Sequence, residues 1–235
     1  MAFAPIRRTR LSQPNGDWLD WLNPLTKGLI DVIDCTGMPK SMLLGTPATF
    51  FGATPALGIP SRAGKSMDAS ASFGGVYFQR SDGAYAAPAQ THIAIAEYVT
   101  ESTYYAGYLC TADGSGASAS LALQGTANGA DLLLYPGGNA LSGAGSKVRT
   151  GGLVVVGLSA DQTGTGTLYV NGVQVASASV TPATFSTSRL VLLGERSATS
   201  VYAVKARQAR HLFYNRRLSV KEHAEIAAAP WQVFL

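Results

Sequence analysis

Charge is scarce in this chain of 235 residues: Asp, Glu, Lys and Arg together make up 14% of it, against roughly 25% in ordinary soluble proteins. The formal net charge of +4 does not form a basic stripe. Basic residues gather only at Arg7, Arg8 and Arg10 and at Lys205, Arg207 and Arg210, so no nucleic-acid partner is expected. Cysteine is almost absent, and Cys35 and Cys110 lie far apart with no C-x-x-C spacing, which excludes a metal ribbon or redox pair and leaves two packed thiols. The histidines His92, His211 and His223 make neither H-x-x-x-H nor H-E-x-x-H, so no zinc-hydrolase motif exists. There is no apolar run of about 18 residues. The basic start, Met1 to Arg10, carries no apolar signal core either, which predicts a product made and first folded in the cytoplasm without membrane insertion.

What is abundant is glycine, 26 residues, and apolar side chains at 46%. From about residue 25 to 215, short runs of β-type residues alternate with Gly, Pro, Ser and Asp. Strands are expected at 73–80, 91–100, 103–112, 118–124, 131–135, 153–160, 167–171, 173–180, 189–194 and 207–214. In 91–100, Ile93, Ile95 and Val99 alternate with His92, Ala94 and Ala96, the pattern of a strand with one buried face. Many short strands without a helical stretch between them predict a double-layered antiparallel sandwich rather than a βαβ fold. The Asn171-Gly172 dipeptide between Leu168/Val170 and Val173/Val175 marks a tight hairpin, because both residues accept the positive φ of a type I′ turn.

The two ends differ from the middle. Trp18, Leu19, Trp21 and Leu22 put four large apolar residues into five positions, a segment that must dock on its own sandwich or on a neighbour. Residues 1–24 are accordingly an N-terminal arm for assembly contact, and 25–235 the sandwich. At the other end Ser219-Val-Lys-Glu222 is a capping box that predicts a helix over 220–228. Pro230 stops it, and Trp231, Val233 and Phe234 follow as an apolar tail.

These landmarks carry a family resemblance. Gly164-Thr-Gly-Thr-Leu-Tyr-Val-Asn-Gly-Val-Gln-Val-Ala176 resembles the central hairpin of laminin-G-like and concanavalin-like jelly rolls, and His211-Leu-Phe-Tyr-Asn-Arg-Arg-Leu-Ser-Val-Lys-Glu222 resembles the ending of the concanavalin A-like lectin/glucanase superfamily. Ala229-Pro-Trp-Gln-Val-Phe234 is similar to the terminus of phage-encoded members. Arg8-Thr-Arg-Leu-Ser-Gln-Pro-Asn-Gly-Asp17 and Asn23-Pro-Leu-Thr-Lys-Gly-Leu29 are similar to the opening of the same proteins. The resemblance implies an antiparallel jelly-roll sandwich from a bacteriophage virion.

A glycosidase of that superfamily would need an E-x-D-x-x-E strand, since retaining hydrolysis places two carboxyl groups about 5 to 5.5 Å apart. None is present; Glu97 and Glu101 would stand roughly 13 Å apart on one strand, and Glu222 and Glu225 belong to the terminal helix. Gly58-Ile-Pro-Ser-Arg-Ala-Gly-Lys-Ser66 has five residues between its glycines where a phosphate loop has four. Asp113, Asp131 and Asp161 stand singly among Gly, Ser and Thr and give no support to a calcium site. Tyr104, Tyr105 and Tyr108 are the densest aromatic group; alternation puts Tyr104 and Tyr108 on one face, as core packing or as a platform for sugar C–H groups.

The expectation is therefore a non-enzymatic jelly roll without cofactor or metal, located in the virion. Its partners would be other capsid or tail proteins, copies of itself, and in one variant a host-surface glycan. Assembly contacts are assigned to Arg7, Arg8, Arg10, Trp18, Trp21, Trp231 and Phe234, and ligand contacts to the three tyrosines. A decoration or scaffold role and a tail-tip or tail-fibre adhesin remain open at this point, with a glycoside hydrolase as the remote alternative.

Overall fold

Leu153–Asp161 reads Leu-Val-Val-Val-Gly-Leu-Ser-Ala-Asp, a density of β-branched and apolar residues that suits a strand covered on both faces. In the computed structural model every residue from Val154 to Ala160 is buried. The strand lies in a back sheet whose order is Val173–Ser179, Thr165–Val170, Leu153–Asp161, Ala89–Tyr98, Ala206–Tyr214, Leu29–Asp34 and Lys40–Ser41. A hairpin of Ala56–Ser61 and Gly64–Asp68 attaches beside the start of Ala206–Tyr214. The front sheet runs Leu141–Ser142, Leu132–Pro136, Ala119–Gly125, Ala106–Ala112, Arg189–Leu192, Gly74–Gln79 and Thr49–Gly52. Leu11–Ser12 pairs separately with Trp18–Leu19. The structure describes residues 11–12, 18–68, 74–80, 82, 84–98, 106–112, 119–125, 132–136, 141–142, 152–161, 165–179, 189–192 and 206–234.

The sandwich interior lies between the sheets, with Ile33, Ala94, Ala96, Val154, Val156, Leu158 and Phe213 of the back sheet facing Val76 and Phe78 of the front. The outer face of the back sheet is equally dry. Val32, Ile93, Ile95, Val155, Leu212 and Tyr214 pack there against Leu19, Leu25, Ile226 and Val233. This third layer is made of the N-terminal segment, the helix Val220–Ala228 and the C-terminal tail.

That layer corrects the expectation of one buried face for the strand through Ile93 and Ile95. Thr91 to Glu97 are all buried, and the large isoleucines point to the terminal layer while the small alanines and His92 point into the sandwich. A period of two shows which side chains share a face, but a second covered face leaves the same period when its residues are also small or polar.

The Asn171-Gly172 turn is as expected, with φ of 50° and 78° and Val170 paired to Val173 across it. The helix occupies Val220–Ala228, opened by the reciprocal Ser219 and Glu222 bonds of the capping box. The phosphate-loop lookalike lies in the hairpin of Ala56–Ser61 and Gly64–Asp68.

One irregularity sets which charges face outward. In Ala206–Tyr214 the register slips between Gln208, opposite Ala96, and Arg210, opposite Ile95, leaving Ala209 as an extra residue. The bulge reverses the inside–outside order of everything before it. Without it Arg207 would enter the interior; with it, Arg207 bonds Asp68 at 2.7 Å and Glu97 at 3.3 Å on the outer side.

Candidate functional site

The termini meet on the outer face. Leu19 bridges antiparallel to Phe234, and Asp20 N–H donates to the Val233 carbonyl at 2.9 Å. Asn23 opens a short turn, Pro24–Thr26, by accepting from Leu25 N–H at 3.0 Å; Pro24 fits its first position because no N–H is needed there. The Asn23 side-chain amide then donates to the Gln232 carbonyl at 2.9 Å. Thus Asn23-Pro-Leu-Thr and Pro-Trp-Gln-Val-Phe234, read in the sequence as separate landmarks, form one seam.

The seam is only partly closed. Leu19 is fully buried, but Trp21 remains 39% exposed, Leu22 65% and Trp231 38%. The apolar run thus packs on the sandwich through Leu19, while Trp21 and Leu22 stay at the surface. Trp231 and Phe234 have ring centroids 6.3 Å apart, and the Arg210 guanidinium lies 4.2 Å from the Phe234 centroid and 5.5 Å from that of Trp231. Arg210 also reaches Asp34 at 3.4 Å. Its cation–π contacts hold both rings in place at the surface, each worth on the order of 1 kcal/mol. Sequence reading missed Arg210 in this role; its spacing from the aromatics in the chain gives no signal.

Of the other expected site residues, Trp18 lies on the strand Trp18–Leu19, and its side chain is outside the described residues, as are Arg7, Arg8 and Arg10. Tyr104 and Tyr105 are also outside them. Tyr108 falls on the strand Ala106–Ala112, with its side chain not described. Cys35 is a free, buried thiol whose pKa is pushed up by burial.

Two arrangements inside the fold carry the residue types of catalysis. His223 Nε2 lies 2.9 Å from Ser159 Oγ, and Ser159 Oγ lies 2.7 Å from Thr91 Oγ1. Yet Ser159 is fully buried, and Thr91 donates to the Arg216 carbonyl, so no substrate atom can reach this hydroxyl. Burial holds the His223 imidazole neutral, with its pKa down to about 3. The set joins the helix to the sheet. Asp31, also fully buried, accepts from Ser41 at 2.6 Å, Tyr85 at 2.8 Å and the Val32 N–H at 2.8 Å. Desolvation raises its pKa while these bonds oppose the rise. Glu97 is held by Arg207 and by the Arg62 N–H. No group of three or more His, Cys, Asp or Glu suited to a metal ion occurs among the described residues.

No protein-family model matches the chain, and no curated protein matches it in sequence. Solved structures do. Trypanosoma rangeli sialidase in complex with sialic acid superposes with a TM-score of 0.70 at 16% identity, over 88% of this chain and 34% of that one. The likeness is one of fold. Domain 4 of AbnA, an extracellular arabinanase from Geobacillus stearothermophilus, in complex with arabinotriose, matches with a TM-score of 0.64 at 15% identity, over 85% of this chain and 98% of the domain. The binding domain of Paraclostridial Mosquitocidal Protein 1 gives 0.64 at 13% identity, covering 88% and 53%. The chain spans about a third of the sialidase's length, and its architecture is the all-β antiparallel sandwich with a short C-terminal helix expected from the sequence.

Proposed function

We propose that this chain is a lectin-like structural module of a bacteriophage particle, docked through the aromatic seam and presenting the sandwich outward. The observation that carries the reading is the convergence of the two terminal motifs. The segments that resemble phage-encoded jelly rolls interlock through Leu19–Phe234 and Asn23–Gln232. They leave Trp21, Leu22 and Trp231 at the surface. Half-exposed tryptophans beside an arginine are the residue types enriched where proteins bind one another.

A second reading, a receptor-binding adhesin, is favoured by one specific likeness. A structure almost wholly covered by this fold, the arabinanase domain, is described in complex with arabinotriose. The two readings share the sandwich and differ in location and copy number.

High-resolution imaging of purified particles separates them. Many ordered copies on a capsid or tail lattice with Trp21 and Trp231 buried against a neighbour is the expected result; a few copies at a tail tip with a free outer surface would establish the adhesin. Absence of the chain from particles would overturn both.

A further inference from the structure

We propose that the sandwich interior binds a water molecule between His92, His211 and Gln208. These side chains lie on two paired strands, Ala89–Tyr98 and Ala206–Tyr214, and all three are fully buried. The site is on the opposite face of the sheet from the terminal seam, so it goes beyond the docking role.

Register places the group. His92 stands opposite Phe213, His211 opposite Ala94 and Gln208 opposite Ala96. Phe213, Ala94 and Ala96 face the space between the sheets, and directly opposed residues share a face, so the three polar side chains point there too. The bulge at Ala209 that turns Arg207 outward also turns Gln208 inward. Across from His211 and Gln208 the two alanines carry only methyl groups, which leaves room beside the longer side chains.

Unpartnered atoms converge here. Among the described residues, six buried side-chain nitrogen or oxygen atoms have no hydrogen-bond partner, and five belong to this group: His92 Nδ1, both ring nitrogens of His211, and Nε2 and Oε1 of Gln208. The sixth, the Tyr214 hydroxyl, lies on the other face of the sheet. The two imidazoles do not bond each other, although their centroids are 5.6 Å apart. Dry, unpaired groups of this kind are costly, and native interiors satisfy them with protein or with ordered water.

The chain of bonds around His92 sets what each atom requires. Gln90 Nε2 donates to the carbonyls of Tyr85 at 2.9 Å and Ala87 at 3.0 Å, so its Oε1 is the atom that meets His92 Nε2 at 3.0 Å. His92 Nε2 therefore carries the proton, and Nδ1 is a bare acceptor. Burial keeps both imidazoles neutral, with His211 down to about 3, so His211 offers one N–H and one lone pair. Gln208 offers an amide N–H pair and a carbonyl.

Donors and acceptors thus face one space without any net charge. A cation would have no carboxylate in the group to offset it, and no metal-type cluster of His, Cys, Asp or Glu occurs among the described residues. An anion would meet bare lone pairs. Water is small, neutral and both donor and acceptor: it can donate to His92 Nδ1 while accepting from His211 or Gln208.

The test is a high-resolution crystal structure of the full chain together with ¹⁷O relaxation dispersion in solution. The expected density is a water within about 2.7–3.2 Å of His92 Nδ1 and of at least one polar atom of His211 or Gln208. In solution, the double variant Gln208→Met/His211→Phe, which removes four of the five unpartnered atoms, should lower the amplitude from long-lived internal water by about one molecule. Cooperative thermal unfolding of the variant would confirm that it is folded, and the wild-type crystal structure decides the matter if it is not. Direct bonds from protein groups to these atoms, an ion at the position, a dry gap, or an unchanged amplitude in the folded variant would each overturn the proposal. The isolated chain is used throughout, so the outcome is independent of particle incorporation.

Discussion

The Asn23 side-chain amide donates to the main-chain carbonyl of Gln232 at 2.9 Å, tying together residues 209 positions apart. Its oxygen meanwhile caps the Pro24–Thr26 turn. Asn23→Ala removes both bonds and strands the Gln232 carbonyl, so it should cost about 1–3 kcal/mol. At about 2–4 °C per kcal/mol for a chain of this size, a thermal scan will resolve it. Asn23→Asp keeps the cap but turns a carboxylate toward that carbonyl, and should be no more stable than Asn23→Ala.

Gly172→Val should destabilise the fold by more than about 2 kcal/mol, for two independent reasons. The residue sits at φ 78°, where a β-branched side chain is strained. A Cβ there would also lie 2.7 Å from Ala224 Cα, so the turn is pressed onto the helix. The neighbouring Asn171 bonds the sheet instead, accepting from the Val155 N–H at 2.9 Å. Chemical denaturation of the valine variant with a midpoint equal to that of the wild type would contradict this placement of the turn.

Much of this architecture is legible in the residues, for identifiable physical reasons. Local chemistry sufficed at Asn171-Gly172 and at Ser219–Glu222, where a turn or cap depends on adjacent side chains alone. The strand Leu29–Asp34 is obscured by Asp31 and Asp34, whose polarity is offset by Ser41, Tyr85 and Arg210 from distant parts of the chain. Ala56–Ser61 is obscured by Gly58 and Pro60, acceptable there because among the described residues the strand pairs only with Gly64–Asp68. Tyr169 and His223 are unremarkable in sequence, since only folding stacks the hairpin's ring on the helix.

The fold should lose stability steadily on acidification below about pH 6.5. His92, His211 and His223 are all buried; desolvation holds His92 well below its ordinary value and His211 and His223 down to about 3. Between the folded and unfolded values only the unfolded chain takes up protons, so stability rises with pH and falls as pH drops toward 3. By pH 5 His211 and His223 each contribute a loss of about 2 kcal/mol, and His92 acts in the same direction. Glu222, lowered to about 2 chiefly by its Arg216 bond, adds a further loss below its ordinary value, while the raised Asp31 acts in the opposite sense. Urea midpoints at pH 7.5 and pH 5 test this, with His211→Phe expected to flatten the slope because that ring has no hydrogen-bond partner among the described residues to lose. Equal midpoints at the two pH values would show that the imidazoles titrate freely.

Gly157 and His223 should behave as one unit. A Cβ at Gly157 would lie 2.7 Å from both Cε1 and Nδ1 of the His223 ring, and that ring is held in place because Tyr169 stacks on it and Ser159 holds Nε2. Gly157→Ala must therefore lift the helix from the sheet or break the Ser159 bond, at a cost of about 1–3 kcal/mol. His223→Ala alone leaves a void and an unsatisfied Ser159, at a similar cost. In the double variant the added methyl occupies part of the space the imidazole left, so the combined loss should be smaller than the sum of the two by about 1 kcal/mol or more. A double-mutant cycle measured by chemical denaturation gives the coupling directly. Strict additivity would mean that the helix does not rest on Gly157 through His223, and the third layer would then need another anchor to the sheet.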